Sequence, residues 1–227
     1  MIRRRLRAVV NRIVGSERRV VRVRSGAARG ARLALDLSRE KAYWLGYYEP
    51  SVQRFLEQNV APGDVVYDVG AHIGFFSVCA ARLGAVVYAF EPVPVNAARL
   101  RDNVSLNDFE IHVVEAAAWE SSGSVGLVAG DSDFEAHATP GTGTPSVSLD
   151  DFAEREQEPS LIKLDVEGAE AHVLRGARRL LAGARPVLVC EIHSEGARDD
   201  VKALLAGYTL EEFERPTRIV ARPAVGG

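Results

Sequence analysis

Apolar positions along the chain gather into short, nearly continuous runs separated by stretches with helical spacing. Runs at 64–68, 85–90, 110–115, 160–164 and 186–192 predict strands, of the kind that parallel sheets bury on both faces. Helical spacing at 74–83, 94–107, 149–156, 168–182 and 197–206 predicts the intervening helices. Strict strand–helix alternation implies right-handed crossovers and a parallel sheet. Upstream, 20–24 and 32–37 alternate around Gly26 and Gly30 and predict a β-hairpin, and a helix is expected from Ser51 to Asn59, closed by Pro62 and Gly63. The chain ends in a second hairpin, 208–214 and 218–221, turning at Pro216, so its final strand is antiparallel. Residues 121–148 are rich in Gly, Ser, Thr and Pro and predict a loop. Because it leaves the C-terminal end of a parallel strand, it is expected on the ligand side of the sheet, as a specificity lid or as a surface insertion.

With 227 residues, 47% of them hydrophobic, the chain can bury one large α/β core. The expected division is an appendage over 1–40 and a main domain over 41–227. No apolar run approaches the roughly 18 residues of a membrane span. The basic start resembles the opening of a signal peptide, but Asn11 and Arg12 interrupt any apolar region, so a cytoplasmic protein is expected. Cys79 and Cys190 each lie in an apolar stretch and are read as buried thiols rather than a disulfide. Charge is segregated: residues 1–25 hold nine arginines and one glutamate, +8, which leaves −11 for the rest of a chain of net charge −3. Ile2, Leu6, Val9, Val10, Ile13 and Val14 recur at helical spacing in that segment, which predicts a basic amphipathic helix. Such a helix suits an acidic partner or membrane surface, its own acidic domain, or a second subunit in a homodimer. The acidic remainder lacks basic runs with interleaved aromatics, so nucleic acid is not an expected partner.

The candidate chemistry starts at the first predicted parallel strand. Val65-Val66-Tyr67-Asp68-Val69-Gly70-Ala71-His72-Ile73-Gly74 reads as strand, acid, glycine turn and helix start, and the next strand ends on Glu91, 23 positions beyond Asp68. Glycines at 70 and 74 admit a tight turn and close ligand approach, and an acid ending the second strand can accept hydrogen bonds from ribose hydroxyls. A dinucleotide fingerprint needs G-x-G-x-x-G, yet His72 stands where its second glycine would be. Asp68 adds negative charge beside the turn, which suits a cationic ligand better than a pyrophosphate. S-adenosylmethionine, with its sulfonium, ammonium and ribose, fits this turn, and the glycine spacing disfavours a nicotinamide dinucleotide.

These residues resemble the FkbM family of methyltransferases, whose hallmark turn Asp-Val-Gly-Ala-Asn-x-Gly precedes a Phe-Glu-Pro strand end. Here the blocks are Asp68 to Gly74, Phe90-Glu91-Pro92, Asn103-Val104-Ser105-Leu106-Asn107 and Lys163-Leu164-Asp165-Val166-Glu167-Gly168-Ala169-Glu170. They stand in the family's order and span about Tyr48 to His193. The one departure is His72, where the family usually has Asn. The resemblance implies an S-adenosylmethionine-dependent methyltransferase on a class I, Rossmann-like, doubly wound sheet, mostly parallel with a C-terminal antiparallel strand, extended by the N-terminal helix and hairpin. It also places a Tyr-Glu pair, Tyr48-Glu49, near the site; otherwise the aromatic segment 43–50 covers the sheet edge.

Residue by residue, Asp68, Gly70, Ala71, His72 and Gly74 are expected at the methionine end of the cofactor and Glu91 at its ribose. Pro92 is expected near the adenine, with Ala117 or Trp119 on the other face, and Glu49 and Asp165 complete the expected cofactor shell. In-line methyl transfer depends largely on positioning, while an alcohol acceptor also gains from a base or a metal. The strand ends supply Asp165, Glu167, Glu191 and His193 as candidates, of which Asp165, Glu191 and His193 are the expected catalytic set, with His193 the side chain suited to a base near neutral pH. The same three residues are competent ligands for a divalent metal. Glu167 and Glu170 otherwise simply favour a helix N-terminus. By resemblance, the acceptor is a small-molecule hydroxyl on a secondary metabolite or sugar. An N-methyltransferase and a non-catalytic S-adenosylmethionine-binding interaction module are the alternatives.

Overall fold

The computed structural model describes residues 18–129, 136–193, 195–213 and 218–224. The basic segment expected as an amphipathic helix lies outside them. In chain order the elements are β1 (Arg19–Arg22), β2 (Arg32–Leu35), α1 (Lys41–Leu45), α2 (Pro50–Asn59), β3 (Val65–Val69), α3 (Phe75–Arg82), β4 (Val86–Phe90), α4 (Pro94–Ser105) and β5 (Ile111–Val114). There follow β6 (Ala117–Ala118), β7 (Gly123–Ala129), β8 (Ala136–Val147), α5 (Leu149–Ala153), β9 (Leu161–Leu164), α6 (Glu170–Arg175), α7 (Arg178–Ala182), β10 (Val187–Glu191), α8 (Glu195–Leu204), β11 (Tyr208–Glu212) and β12 (Arg218–Pro223).

Seven strands form the central sheet in the order β11-β12-β10-β9-β3-β4-β5. Strands β3, β4, β5, β9 and β10 run parallel, and β12 is antiparallel to both β10 and β11. The expected antiparallel strand is therefore present, inserted between β10 and β11. From β3 the chain winds outward through β4 and β5, then crosses to β9 on the other side of β3. That reversal is a topological switch point, where a crevice opens at the carboxyl ends of the strands. Both faces are covered, as the apolar runs require: Val66, Val87 and Val189 pack in one buried cluster, and Tyr67, Phe90, Leu164 and Leu188 in another.

The N-terminal hairpin belongs to the first of these clusters through fully buried Leu33 and Leu35. Two asparagines of the Asn103-to-Asn107 block attach it. Asn103 accepts from Ala34 N at 2.7 Å and donates to Ile73 O at 2.8 Å, and Asn107 both accepts from and donates to the Arg32 backbone at 2.9 Å. A block read as a motif thus joins hairpin, helix α4 and the glycine turn.

Two expectations are corrected. Residues 123–129 and 136–147 are strands and not a loop: β7 and β8 pair antiparallel, and β6 joins β8 in a separate three-stranded sheet. The Gly and Pro content reflects an irregular strand pair rather than a loop. The register shifts between Val125, opposite Thr144, and Gly126, opposite Thr139, which takes up Pro140 to Gly143. At that shift the backbones of Gly126 and Gly141 lie so close that a Cβ on Gly141 would sit 3.1 Å from Gly126 N. The single helix expected over 168–182 is split into α6 and α7 at Gly176, because this backbone packs against another segment. A Cβ on Gly176 would stand 2.1 Å from Trp119 O, and Gly176 O accepts from Asp150 N at 2.8 Å. Cys79 and Cys190 are free and buried, as expected. Among the described residues no helix is long and apolar enough to cross a membrane.

Replacing Leu33 with Ala is expected to destabilise the protein by about 2–5 kcal/mol, as for other buried leucines. Val20, 57% exposed on the paired strand, should cost no more than about 0.5 kcal/mol on the same replacement. Urea unfolding of the two variants measures whether the hairpin is part of the core.

Candidate active site

A cavity of about 500 Å³ opens at the switch point, within the 300–1,000 Å³ range usual for small-molecule sites. Its walls include Gly70 and His72 from the turn after β3, Glu91 to Val93 after β4, Asp165 to Glu167 after β9, and Tyr43 and Tyr48 from the segment before α2. Ala117 and Ala138 close the side facing the small sheet.

The turn is shaped by backbone contacts. Gly70 has φ 81° and Gly74 φ 84°, a region open to glycine. A Cβ on Gly70 would lie 1.7 Å from Asp165 O, and one on Gly74 2.3 Å from a Leu100 methyl. Gly70 N and Ala71 N both donate to Phe90 O at 3.0 Å. His72, with φ 51°, donates its backbone N–H to Glu91 Oε2 at 2.8 Å, and Val93 N donates to Glu91 Oε1 at 2.9 Å. Glu91 is only 4% exposed, and burial raises its pKa against those two backbone donors. A buried carboxylate is thereby aimed by the turn into the cavity wall. Burial, with Arg99 and Lys163 nearby, holds the His72 imidazole near pKa 4, so it is neutral.

Other expected residues lie elsewhere. Asp68 is beneath the turn instead of on the cavity wall: Oδ2 accepts from Ser77 Oγ at 2.6 Å, and Oδ1 is 3.4 Å from Lys163 Nζ. Its charge is thus spent inside the sheet. Ala71 and Gly74 shape the turn from behind and are not among the cavity-lining residues. Glu49, at φ 42°, pairs with Arg218 Nη2 at 2.7 Å and faces the ends of β10 and β12. Of the two residues considered for one adenine face, Ala117 lines the cavity, while Trp119 stacks on His172 at 4.0 Å. The aromatic segment serves both expected ends at once: Tyr43 and Tyr48 line the cavity and pack on Phe75. Burial pushes the Tyr43 phenol up to about 12, so it remains a hydrogen-bond donor.

The segments after β9 and β10 bring Asp165 and His193 together; Asp165 and Glu167 line the cavity, and His193 stands behind them, outside the lining. His193 Nε2 is 3.6 Å from Asp165 and 3.4 Å from Glu167, while Nδ1 is 2.7 Å from Glu170 Oε1. Glu170 is fully buried; it orients the imidazole, a role the sequence did not reveal because the residue reads there as an acid at a helix start. Burial alone would lower the His193 pKa, but the Glu170 hydrogen bond and the Glu167 and Asp165 carboxylates outweigh it and lift the value to about 9. In the resting protein His193 is therefore an imidazolium, where the sequence suggested a neutral base. Glu191 is held by Arg218, its Oε2 accepting from Nε at 2.8 Å, while its Oε1 stays 4.0 Å from His193 Nε2. The donor atoms that gather within 4.8 Å are those of Asp165, Glu167 and His193, so Glu167 stands where Glu191 was expected in a metal-competent set.

A glycine turn after the first strand, a buried acid after the second and a polar group after the fourth, around a crevice at the switch point, define a class I S-adenosylmethionine-dependent methyltransferase. Comparison with known proteins gives the family. The profile described as Methyltransferase FkbM domain matches residues 68–213, and the chain belongs to the FkbM methyltransferase family. It is 30% identical to the hexuronic acid methyltransferase AglP of Haloferax volcanii, over 71% of this chain and 70% of that protein. It is 32% identical to the 31-O-demethyl-FK506 methyltransferase FkbM of Streptomyces tacrolimicus, over 65% of this chain and 72% of that protein. The crystal structure of methyltransferase FkbM from Methylobacillus flagellatus KT shares the fold with a TM-score of 0.53 at 18% identity, covering 82% of this chain and 60% of that one.

Gly70→Ala must accommodate a β-carbon against Asp165 O, whereas Gly63, also at positive φ (89°), has no neighbour within 4 Å. Gly63→Ala should cost only the left-handed backbone term, about 1–2 kcal/mol. Gly70→Ala should cost clearly more, and denaturant titration of the two variants reads the difference.

Proposed function

We propose that the protein transfers a methyl group from S-adenosylmethionine to a hydroxyl of a small molecule, a sugar or a secondary metabolite. The observation that carries this reading is Asp165, which lines the cavity together with Gly70 and Glu91 and has His193 Nε2 3.6 Å behind it. Glu91 would hold the ribose hydroxyls, the Gly70–His72 backbone the methionine end, and Pro92 and Ala117 the adenine. When bound, the cofactor supplies an electrophilic methyl group for in-line displacement, and the remaining work is orientation.

Asp165 and His193 are assigned to the acceptor side. An alcohol oxygen becomes strongly acidic once methylated, so a carboxylate is basic enough to take its proton. Asp165, flanked by the His193 imidazolium and by Lys163, is that acceptor in our reading. His193 offers Nε2–H to orient the acceptor oxygen, and Glu191 anchors the Arg218 bridge to Glu49. Support for an oxygen acceptor comes from relatives named for a hexuronic acid and for 31-O-demethyl-FK506.

The test is incubation with methyl-labelled S-adenosylmethionine and a panel of sugars, uronic acids and hydroxylated polyketides, with matching amines. Label appearing on oxygen supports the reading; label confined to amines, or none on any acceptor despite cofactor binding, overturns it. On an accepted substrate, Asp165→Asn and His193→Ala should each lower kcat by about a hundredfold, within the range for proton-transfer groups, while calorimetric affinity for S-adenosylhomocysteine changes far less in His193→Ala.

A further inference from the structure

Lys163 has appeared so far only as a neighbour of Asp68, His72 and Asp165, although its surroundings are unusual for a lysine. The side chain is 7% exposed, and Nζ lies 3.1 Å from Gly70 O, 3.4 Å from Asp68 Oδ1 and 3.3 Å from Asp165 Oδ2. Its open side meets the Phe76 ring at 5.4 Å from the centroid. An ammonium has three donors and no acceptor, and three oxygens surround this one. A buried charge is costly unless it is paired and hydrogen-bonded. Here burial alone would lower the Lys163 pKa, but the carboxylates of Asp165, Asp68 and Glu49 outweigh it and raise it, so the group stays charged.

The three oxygens come from two different halves of the site. Gly70 O belongs to the glycine turn, and Asp68 lies in β3, the strand that feeds it. Asp165 follows β9, across the switch point. The two backbones already touch there, since a Cβ on Gly70 would meet Asp165 O. Without the ammonium, two carboxylates would share a buried space with no cation between them, and like charges so placed repel.

We propose that Lys163 is a positioning residue that couples the two halves of the active site: one ammonium fixes both the Gly70 carbonyl of the cofactor turn and the Asp165 carboxylate of the acceptor side. Cofactor binding and the orientation of Asp165 are then linked through a single side chain. The part concerning the acceptor rests on the role proposed for Asp165.

The chain contains three lysines, Lys41, Lys163 and Lys202, so the side-chain ammonium signals can be followed individually in protein labelled with 15N-lysine. The Lys163 signal should be protected from exchange, unlike that of exposed Lys202. It should shift when S-adenosylhomocysteine binds and again when Asp165 is replaced by Asn. A Lys163 signal that exchanges like that of Lys202, or that ignores S-adenosylhomocysteine, overturns the coupling. In parallel, calorimetry on Lys163→Met, Asp165→Asn and the double variant forms a double-mutant cycle. Lys163→Met should weaken S-adenosylhomocysteine binding about tenfold or more, an energy typical of coupled neighbours, and adding Asp165→Asn should weaken it by less than the product of the single effects. Strict additivity overturns the proposal. If Lys163→Met does not fold, the resonance measurements on the wild-type protein decide alone. If Asp165→Asn leaves methyl transfer intact while Lys163 responds to both perturbations, the proton role of Asp165 fails and the coupling stands.

Discussion

The approach of Gly70 to Asp165 is the constraint on which the site depends. Strands β3 and β9 are hydrogen-bonded neighbours on either side of the switch point, and Asp165 N donates to Val69 O at 3.0 Å. Their carboxyl ends can meet this closely only because position 70 has no β-carbon and tolerates positive φ. The same contact brings a cofactor-sized cavity, a buried acid and a polar cluster within one crevice. A larger residue at 70 would separate the two strand ends and with them the two halves of the chemistry.

Electrostatics follow from that geometry. The cavity and its surroundings hold Glu49, Glu91, Asp165, Glu167, Glu170 and Glu191, balanced locally by Lys163, Arg218 and protonated His193. Each cation bridges carboxylates from separate elements: Lys163 joins β3 to the segment after β9, Arg218 joins the segment before α2 to β10, and His193 joins the segment after β9 to α6. Such pairs contribute less to net stability than to fixing one arrangement, because desolvation offsets much of their attraction. Two of the four non-glycine residues with positive φ among the described residues, His72 and Glu167, line this crevice. Local strain of that kind is held by the surrounding structure and clusters where function needs it.

How much was legible in the sequence depended on the scale of the interaction. The parallel strands and the glycine turn were readable because continuous apolar runs and a Gly-x-x-x-Gly spacing are local consequences of burial on both faces and of a tight turn. The β7–β8 pair was not, since its Gly, Pro and Thr content imitates a loop and only pairing across the chain fixes its register. The break at Gly176 was hidden for a similar reason: it answers to Trp119, far away in sequence. In the site, Gly70, His72, Glu91, Pro92, Ala117 and Asp165 were anticipated as wall residues. Asp68 was given to the ligand, although its partner is Lys163, which no spacing rule connects to it. Likewise Glu170 read as a helix-start acid because its partner, His193, arrives from another strand.

Calorimetric titration of the protein with S-adenosylmethionine and S-adenosylhomocysteine decides whether this crevice is the S-adenosylmethionine site. One equivalent of each should bind with micromolar affinity, about −8 kcal/mol, and Glu91→Gln should weaken both by removing the carboxylate proposed for the ribose. Absence of binding by either ligand up to about 1 mM, some −4 kcal/mol, or binding untouched by Glu91→Gln, would contradict the account.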